Sequence, residues 1–430
     1  MYDLAIIGGG PAGYSAALEG IRLGLSVILF EKDQLGGTCL NRGCVPTKFL
    51  SHTAKIWTEM DMAEKDGILF VKAQIDFHKV IEKKTEIIST LRDGLTQRIL
   101  QKKIKMIQGT ASIKEKNKIF CNGAEFEAKN ILIAAGAVPV KPFITRAISS
   151  DELLELDKIP KKLHILGGGP IAVEFASIFC ALGSDVTVSI RGERILQKWD
   201  KEIAVSLTQS MKQKRIHIQT KTDFETLQIE NDAVILSAIG RMPNLEGFNN
   251  TYFDIGSHNG IITDAFGNTK TAGIFAAGDV VEGSPQLAHI SMEQGRQVAR
   301  FIAGIPITKP SAIVKTIIAS QEITSVGLTE QEAKNKGIKA VTAKQNLYSN
   351  ARTMISTKER GFIKVVADLE SKKIIGAQLM CERAGDIVAE LALAINNGLS
   401  PEDMLASIRP HPSYCEAITD VMILLSEKIR

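Results

Sequence analysis

Short apolar runs closed by glycine clusters recur along the chain and predict two copies of one strand–turn–helix–strand unit. Residues 4–7 (Leu-Ala-Ile-Ile) are continuously apolar, the pattern of a strand buried on both faces. A glycine-rich turn at 8–13 follows, then a helix-like run over 14–23, a break at Gly24, and a second buried strand at 27–30 that ends at Glu31. The same order returns with a strand at 163–166, a turn at 167–172, a helix over 173–182, a break at Gly183 and a strand at 186–190. Each copy closes on a further apolar strand, 131–136 ending at Gly136 and 234–241 containing Gly240. Residues 51–107 carry a charge-laced helical pattern, and 271–280 read as an apolar strand with Asp279 at its carboxyl end. Pro139 and Pro142 mark a boundary. From Pro310 the pattern turns to alternating strands, 361–366 and 374–379, followed by helices around 386–396 and 414–427.

At 430 residues the chain exceeds one ordinary core, so two or three domains are expected. Hydrophobic content of 44% with 23% charged residues describes a soluble globular protein. The net charge of +4 is small and its lysines are scattered; Lys83-Lys84 and Lys102-Lys103 read as solvated helix faces, not a nucleic-acid surface. No stretch approaches the ~18 apolar residues of a membrane span. The N-terminus lacks the charged start of a signal peptide, so a cytoplasmic location is expected. Six cysteines are too few for a disulfide scaffold, and Cys121, Cys180, Cys381 and Cys415 read as buried thiols.

Candidate chemistry concentrates in the turns. Gly8, Gly10 and Gly13 fill the three positions of a dinucleotide fingerprint, and Glu31 at the end of the second strand can accept from a ribose hydroxyl. A purely structural glycine turn is the competing reading. In the second copy the positions are Gly167, Gly169 and Ala172, and the place of the acid is taken by Ile190, with Arg191 and Arg194 just beyond. Two such units suggest two nucleotide cofactors.

Cys39 and Cys44 stand five positions apart, with Lys48 one helical turn further on. Residues so spaced on an ideal helix have Cα atoms about 8–9 Å apart, whereas a disulfide needs about 4.4–6.8 Å. A bridge therefore requires an irregular first turn, which Gly43 and Pro46 permit. Read alone, the spacing also suits two unpaired core cysteines or half a metal site. In a reducing cytoplasm, a cysteine pair is more often catalytic than structural.

Taken together, these stretches resemble the flavin-dependent pyridine nucleotide-disulfide oxidoreductases, over essentially the whole chain. The resemblance implies an α/β architecture of two Rossmann-like dinucleotide-binding domains and a C-terminal α+β dimerisation domain. The divisions would be an FAD-binding domain of 1–143 and 242–309, an NAD(P)-binding domain of 144–241, and a dimerisation domain of 310–430. It implies FAD on the first glycine turn, with Gly136 and Asp279 beside it, and NAD or NADP on the second, with Gly240. Cys39 resembles the thiol that exchanges with substrate and Cys44 the thiol against the flavin. Lys48 resembles the lysine beside the flavin ring, paired with a glutamate matching Glu174. His411 and Glu416 resemble the base and its orienting partner, donated across a homodimer.

Within the family, Gly37-Thr38-Cys39-Leu40-Asn41, Pro46-Thr47-Lys48, Gln286-Leu287-Ala288-His289 and Val326-Gly327-Leu328-Thr329-Glu330 lean toward dihydrolipoamide dehydrogenase. The expected substrate is then a small-molecule or lipoyl dithiol/disulfide, the latter carried by a 2-oxoacid dehydrogenase or glycine cleavage complex. A glutathione reductase-like enzyme and a catalytically silent scaffold or redox sensor are the alternatives. Mercuric reductase is disfavoured by the lack of a paired-cysteine tail and of an N-terminal metal-binding domain. Three departures stand out: a short stretch between Gln219 and Ala233, Arg409-Pro410 where a histidine is usual, and Cys415 where serine is usual.

Overall fold

Tyr2–Ile7 and Val27–Glu31 form the parallel pair that the apolar runs predict, with Ala5 opposite Ile28 and Ile7 opposite Phe30. The structure is a computed structural model that describes residues 1–70, 73–141, 144–248, 250–307, 312–356 and 361–430. Pro142 and Pro310, two of the expected boundary markers, lie outside the described residues. The chain divides into two compact units. One comprises Met1–Thr53, Met60–Ile159 and Ile235–Thr308; the other comprises Ala54–Glu59, Pro160–Val234 and Lys309–Arg430.

In the first unit the parallel strands run Lys105–Gln108, Val27–Glu31, Tyr2–Ile7, Ala124–Ile133, with Ile274–Ala276 also pairing parallel to Ala124–Ile133. Ser112–Glu115 and Lys118–Cys121 add an antiparallel meander onto the first half of Ala124–Ile133. Alternation along the strands splits the core: Leu4, Ile6, Leu29 and Leu132 face one cluster, and Ala5, Ile28, Phe30 and Ile131 the other. The first cluster lies under helices Pro11–Arg22 and Ala288–Ile302, which pack together. That packing needs Gly295, because a Cβ there would stand 2.1 Å from the Ala12 carbonyl oxygen.

Residues 51–107 are less uniform than their charge pattern suggests. Helix Cys44–Lys65 ends at Asp66, a second helix Phe77–Gln101 starts under an Asp76 cap, and Lys105–Gln108 is a strand. The reading of Lys84 as solvated is corrected. It is 1% exposed, and its Nζ donates to the Leu154 carbonyl and, at 3.1 Å, to Glu155 Oε1. Lys83 does face solvent, paired with Glu86. His78 lies exposed beside Glu82, an ordinary helix residue.

The second unit holds parallel strands Lys162–Leu166, Asp185–Ser189 and His217–Gln219 around helix Pro170–Ala181. No strand forms in the described stretch between Gln219 and Val234. The unit also holds an antiparallel sheet ordered Val314–Ile318, Glu322–Gly327, Ile374–Met380, Phe362–Asp368, Ala340–Asn346. Helices Ala384–Asn396 and Glu416–Ile429 share a core with that sheet.

The apolar stripe of the last helix, Ala417, Ile418, Val421 and Leu425, is fully buried in this core against residues such as Ile363, Val365 and Leu379. Each large side chain so buried contributes about 1.5–3 kcal/mol. The stripe thus packs within the chain, and its apolar count by itself does not call for a second subunit. Leu424 and Ile423, on the other side of the helix, stay exposed. Among the described residues no helix is long and apolar enough to cross a membrane.

Candidate functional site

The first glycine turn is built by close backbone approach. Gly8 has φ +109°, and a Cβ on it would meet the Ala134 carbonyl oxygen at 2.3 Å. A Cβ on Gly13 would stand 1.8 Å from the Gly8 oxygen. Gly10 caps helix Pro11–Arg22 without a side-chain hydrogen bond, leaving amides of the first turn for an anion. Gly13→Ala is therefore expected to give a protein that no longer retains FAD, read as loss of the flavin absorption and lower thermal stability.

The turn opens onto a cleft of about 390 Å³ lined by residues that include Gly8, Gly10, Glu31, Gly136, Asp279 and Cys44. Glu31 is buried and already anchored, its Oε2 accepting from the Gly9 amide at 2.7 Å and its Oε1 from the Asp33 amide at 2.8 Å. A carboxylate oxygen accepts more than one hydrogen bond, so a ribose hydroxyl still finds an acceptor here. Asp279 accepts from Ser291 Oγ at 3.1 Å, and burial pushes its carboxyl above the ordinary range. A partly buried acid at the cleft wall fits a hydroxyl-bearing chain. The residues present thus fit a dinucleotide.

Helix Gly37–Arg42 carries Cys39 and helix Cys44–Lys65 starts at Cys44, with Gly43 between them at φ −140°, ψ −104°. The irregular turn that the spacing demands is present, and both cysteines line the cleft. Cys39 is partly buried and Cys44 exposed. The hydrogen bond to the Cys44 side chain, then burial, holds the Cys39 thiol well above the usual thiol range. The Lys48 charge pulls it the other way, which places that ammonium near the pair. Among the described residues no group of three or more His, Cys, Asp or Glu side chains is arranged to hold a metal ion.

Tyr14, which sequence reasoning passed over as the start of a helix, lies beside this pair. Burial first, then the charges of Cys39 and Cys44, push its hydroxyl up to about 12. No spacing rule pointed to it, because only the fold brings the first helix against the cysteine turn.

In the second unit Gly167 (φ +119°) and the helix cap Gly169 form the second turn, and Ala172 is fully buried where the third glycine is usual. Ile190 is buried against Gly168, where an added Cβ would meet its Cγ2 at 2.7 Å. The two arginines beyond it separate. Arg194 spends its guanidinium on the carbonyls of Leu196, Gln197 and Trp199, holding its own loop. Arg191 is exposed, its guanidinium 4.9 Å from the Phe224 ring centroid. Glu174 is buried and its Oε1 accepts from the Ile318 amide at 2.8 Å. Gly240, which the sequence groups with the second nucleotide, falls in the first unit, where its carbonyl accepts from Val140. It sits there because Arg241–Pro243 pairs antiparallel with Ala137–Pro139.

His411 Nδ1 lies 2.7 Å from Glu416 Oε2, also within the second unit, while its ring is largely exposed. Arg409 anchors the loop from below. It is buried, ion-paired with Glu390, and its Nη1 donates to Thr419 Oγ1 at 2.9 Å. Cys415 caps the last helix with its Sγ 3.1 Å from Ser413 Oγ.

The pyridine nucleotide-disulphide oxidoreductase model matches residues 2–295, and the dimerisation domain of the same family matches residues 313–422. The chain is 32% identical to a dihydrolipoyl dehydrogenase of Mycoplasma pneumoniae, over 98% of its own length and 97% of that protein. It is 31% identical to a mercuric reductase of Lysinibacillus sphaericus, over 97% of this chain and 81% of that one. Among solved structures it superposes on the HOCl-induced flavoprotein disulfide reductase RclA of Escherichia coli with a TM-score of 0.89. That match is at 26% identity and covers 98% of this chain and 100% of the other. A cysteine pair at the wall of a dinucleotide cleft, joined to these matches, means that the chain belongs to the pyridine nucleotide-disulphide oxidoreductase family and is an FAD-dependent NAD(P)-disulfide oxidoreductase.

Proposed function

We propose that the chain is a dihydrolipoamide dehydrogenase-like enzyme, coupling a substrate dithiol/disulfide to NAD(P)(H) through a Cys39–Cys44 disulfide. The observation that carries the reading is the hydrogen-bonded thiol pair at the cleft wall, with Lys48 beside it. When bound, FAD supplies the two-electron relay between nicotinamide and the cysteine pair. Gly8, Gly10, Gly13, Glu31, Gly136 and Asp279 would hold it.

In the dithiol-oxidising direction, a substrate thiolate attacks Cys39 Sγ, the Cys39–Cys44 bond breaks, and Cys44 leaves as a thiolate. The second substrate thiol attacks the substrate sulfur bound to Cys39 and its proton passes to the leaving sulfur, releasing the substrate disulfide and the Cys39 thiol. His411 takes the proton of the first attacking thiol at Nε2, generating that thiolate, with Nδ1–H directed to Glu416. The dyad would come from the other subunit of a homodimer, and Lys48 would stand beside the flavin ring.

We read 1–143 with 242–309, 144–241 and 310–430 as the FAD, nucleotide and dimerisation domains, and place the enzyme in the cytoplasm. A glutathione reductase-like enzyme is the second reading, favoured by Ile190 and Arg191. Loss of an acid at position 190 removes both an acceptor for the 2′-hydroxyl and repulsion toward a 2′-phosphate. Arg191, exposed beside the Phe224 ring, supplies a cation for that phosphate, with Arg194 nearby donating to the carbonyls of its own loop. Arg191→Ala is expected to lower kcat/KM for NADPH by about ten- to a hundredfold, as for loss of a charged hydrogen bond, and to leave NADH nearly unchanged. Steady-state kinetics with both nucleotides check it, and an NADH preference untouched by the substitution overturns it.

The general test is purified yellow protein with NADH or NADPH and a panel of lipoamide, glutathione disulfide, Hg(II) and Cu(II). The metal ions enter because one relative is named a mercuric reductase and RclA is also known as a Cu(II) complex. Turnover with lipoamide supports the proposal; turnover with glutathione disulfide alone moves the chain to the second reading. No turnover with any acceptor makes it a silent scaffold.

A further inference from the structure

The His411–Glu416 pair is held from a third side chain. Asn350 is buried between the short helical turn Leu347–Ser349 and helix Ala351–Ser356. Its Nδ2 donates to the Ser413 carbonyl at 3.0 Å and to Glu416 Oε1 at 3.0 Å. Its Oδ1 accepts from the Thr353 amide at 3.0 Å and from Thr353 Oγ1 at 3.1 Å. The amide orientation follows from the network, because a flipped side chain would set its NH2 against the Thr353 amide and its oxygen against a carbonyl and a carboxylate.

The bonds divide the Glu416 carboxylate between two tasks. Oε1 is taken by Asn350, with the Ser413 amide at 3.4 Å, which leaves Oε2 aimed at His411 Nδ1. Glu416 cannot turn about its last bond without abandoning Asn350. The carboxylate thereby fixes both the ring direction and the tautomer that leaves Nε2 as the base. Asn350 also bonds the Ser413 carbonyl, two residues beyond the histidine, so it secures the loop as well as its acid.

We propose that Asn350 is a positioning residue for the base, setting the proton affinity of His411 through Glu416; this rests on the role given to His411 above. Several charged groups surround the loop. Arg409 is paired with Glu390, and Glu382 with Lys55 and the Tyr414 hydroxyl. Arg352 lies over the Tyr414 ring, and Asp420, one turn along the last helix, faces Glu416 as a second negative charge that is present in every variant. Asn350 is the neutral donor among them that touches the Glu416 carboxylate directly. Replacing it by an acid sets two carboxylates at hydrogen-bonding distance, and the added negative charge favours the imidazolium.

The test is the pH dependence of iodoacetamide alkylation of Cys39 in the reduced holoenzyme, followed by mass spectrometry, which needs no physiological substrate. Asn350→Asp is expected to raise the midpoint by about one pH unit. Asn350→Ala, which frees Glu416 to rotate, is expected to lower the plateau rate about tenfold. FAD content and subunit assembly should stay at the parental level in both. Parental midpoint and plateau in both variants, with the titration lost in His411→Gln, overturns the role of Asn350. A His411→Gln enzyme that titrates like the parent overturns the base assignment itself.

Discussion

Cys44→Ser is expected to retain FAD and lose roughly a thousandfold or more of its disulfide-linked turnover, the scale seen when a nucleophile or its partner is removed. A thousandfold corresponds to about 4 kcal/mol of barrier. The loss is chemical, not structural. Serine has nearly the same shape, Cys44 is exposed, and the helix that starts there has its first-turn contact from the Thr47 amide to the Gly43 carbonyl, which a side-chain change leaves alone. What serine cannot do is close a bond to Cys39 or hold a thiolate beside Lys48. Transfer from NAD(P)H to an artificial acceptor such as ferricyanide, which needs no disulfide, should survive. Two-electron reduction of the parent should develop long-wavelength absorption from a thiolate against the flavin, and Cys44→Ser should not. Cys39→Ser should lose turnover and keep that absorption. A band that persists in Cys44→Ser and vanishes in Cys39→Ser would exchange the two assignments.

The physical basis of the assignment is an asymmetry within the pair. Cys39 is the more buried, and its thiol is held protonated by the hydrogen bond to Cys44 before any other influence. Cys44 is the more exposed sulfur of the two, and both line the cleft. The roles that the motif implies for the two thiols are what the Cys44→Ser and Cys39→Ser spectra decide.

What could be read in the sequence was what local rules encode. Glycines at 8, 10 and 13 declare a close backbone approach, and the structure places the Gly8 oxygen 1.8 Å from where a Gly13 Cβ would be. The five-residue cysteine spacing declares an irregular turn, and Gly43 supplies it. What escaped depends on contacts between residues far apart. Lys84 sits in a lysine pair on a charged helix, and nothing nearby signals that a carbonyl 70 positions away will bury it. The meander strands at 112–121 are four residues each, too short for their alternation to register. Asn350 looks like an ordinary turn residue until the loop at 413–416 folds over it. The last helix is legible as a helix, but periodicity cannot say whether its apolar stripe meets its own sheet or another chain.

That ambiguity leaves the shared active site to be decided by experiment. Cys44→Ser subunits and His411→Ala subunits are each expected to be nearly inactive as homodimers, the first without a disulfide and the second without a base. In a mixed dimer, the site built from the second chain's cysteines and the first chain's histidine has both parts intact, and the opposite site has neither. With two-fold symmetry and random exchange, half of the dimers are mixed and each has one working site, so activity should return to about a quarter of the parental value. Exchange must be shown independently, by co-purification of differently tagged subunits. The 313–422 match to the family's dimerisation domain supports assembly, and the exposed ring of His411 leaves its Nε2 free to face a second chain. If the histidine served its own chain's disulfide, each chain of a mixed dimer would carry one broken part and activity would stay near zero. Recovery after proven exchange supports the shared site, and absence of recovery after the same exchange rules it out.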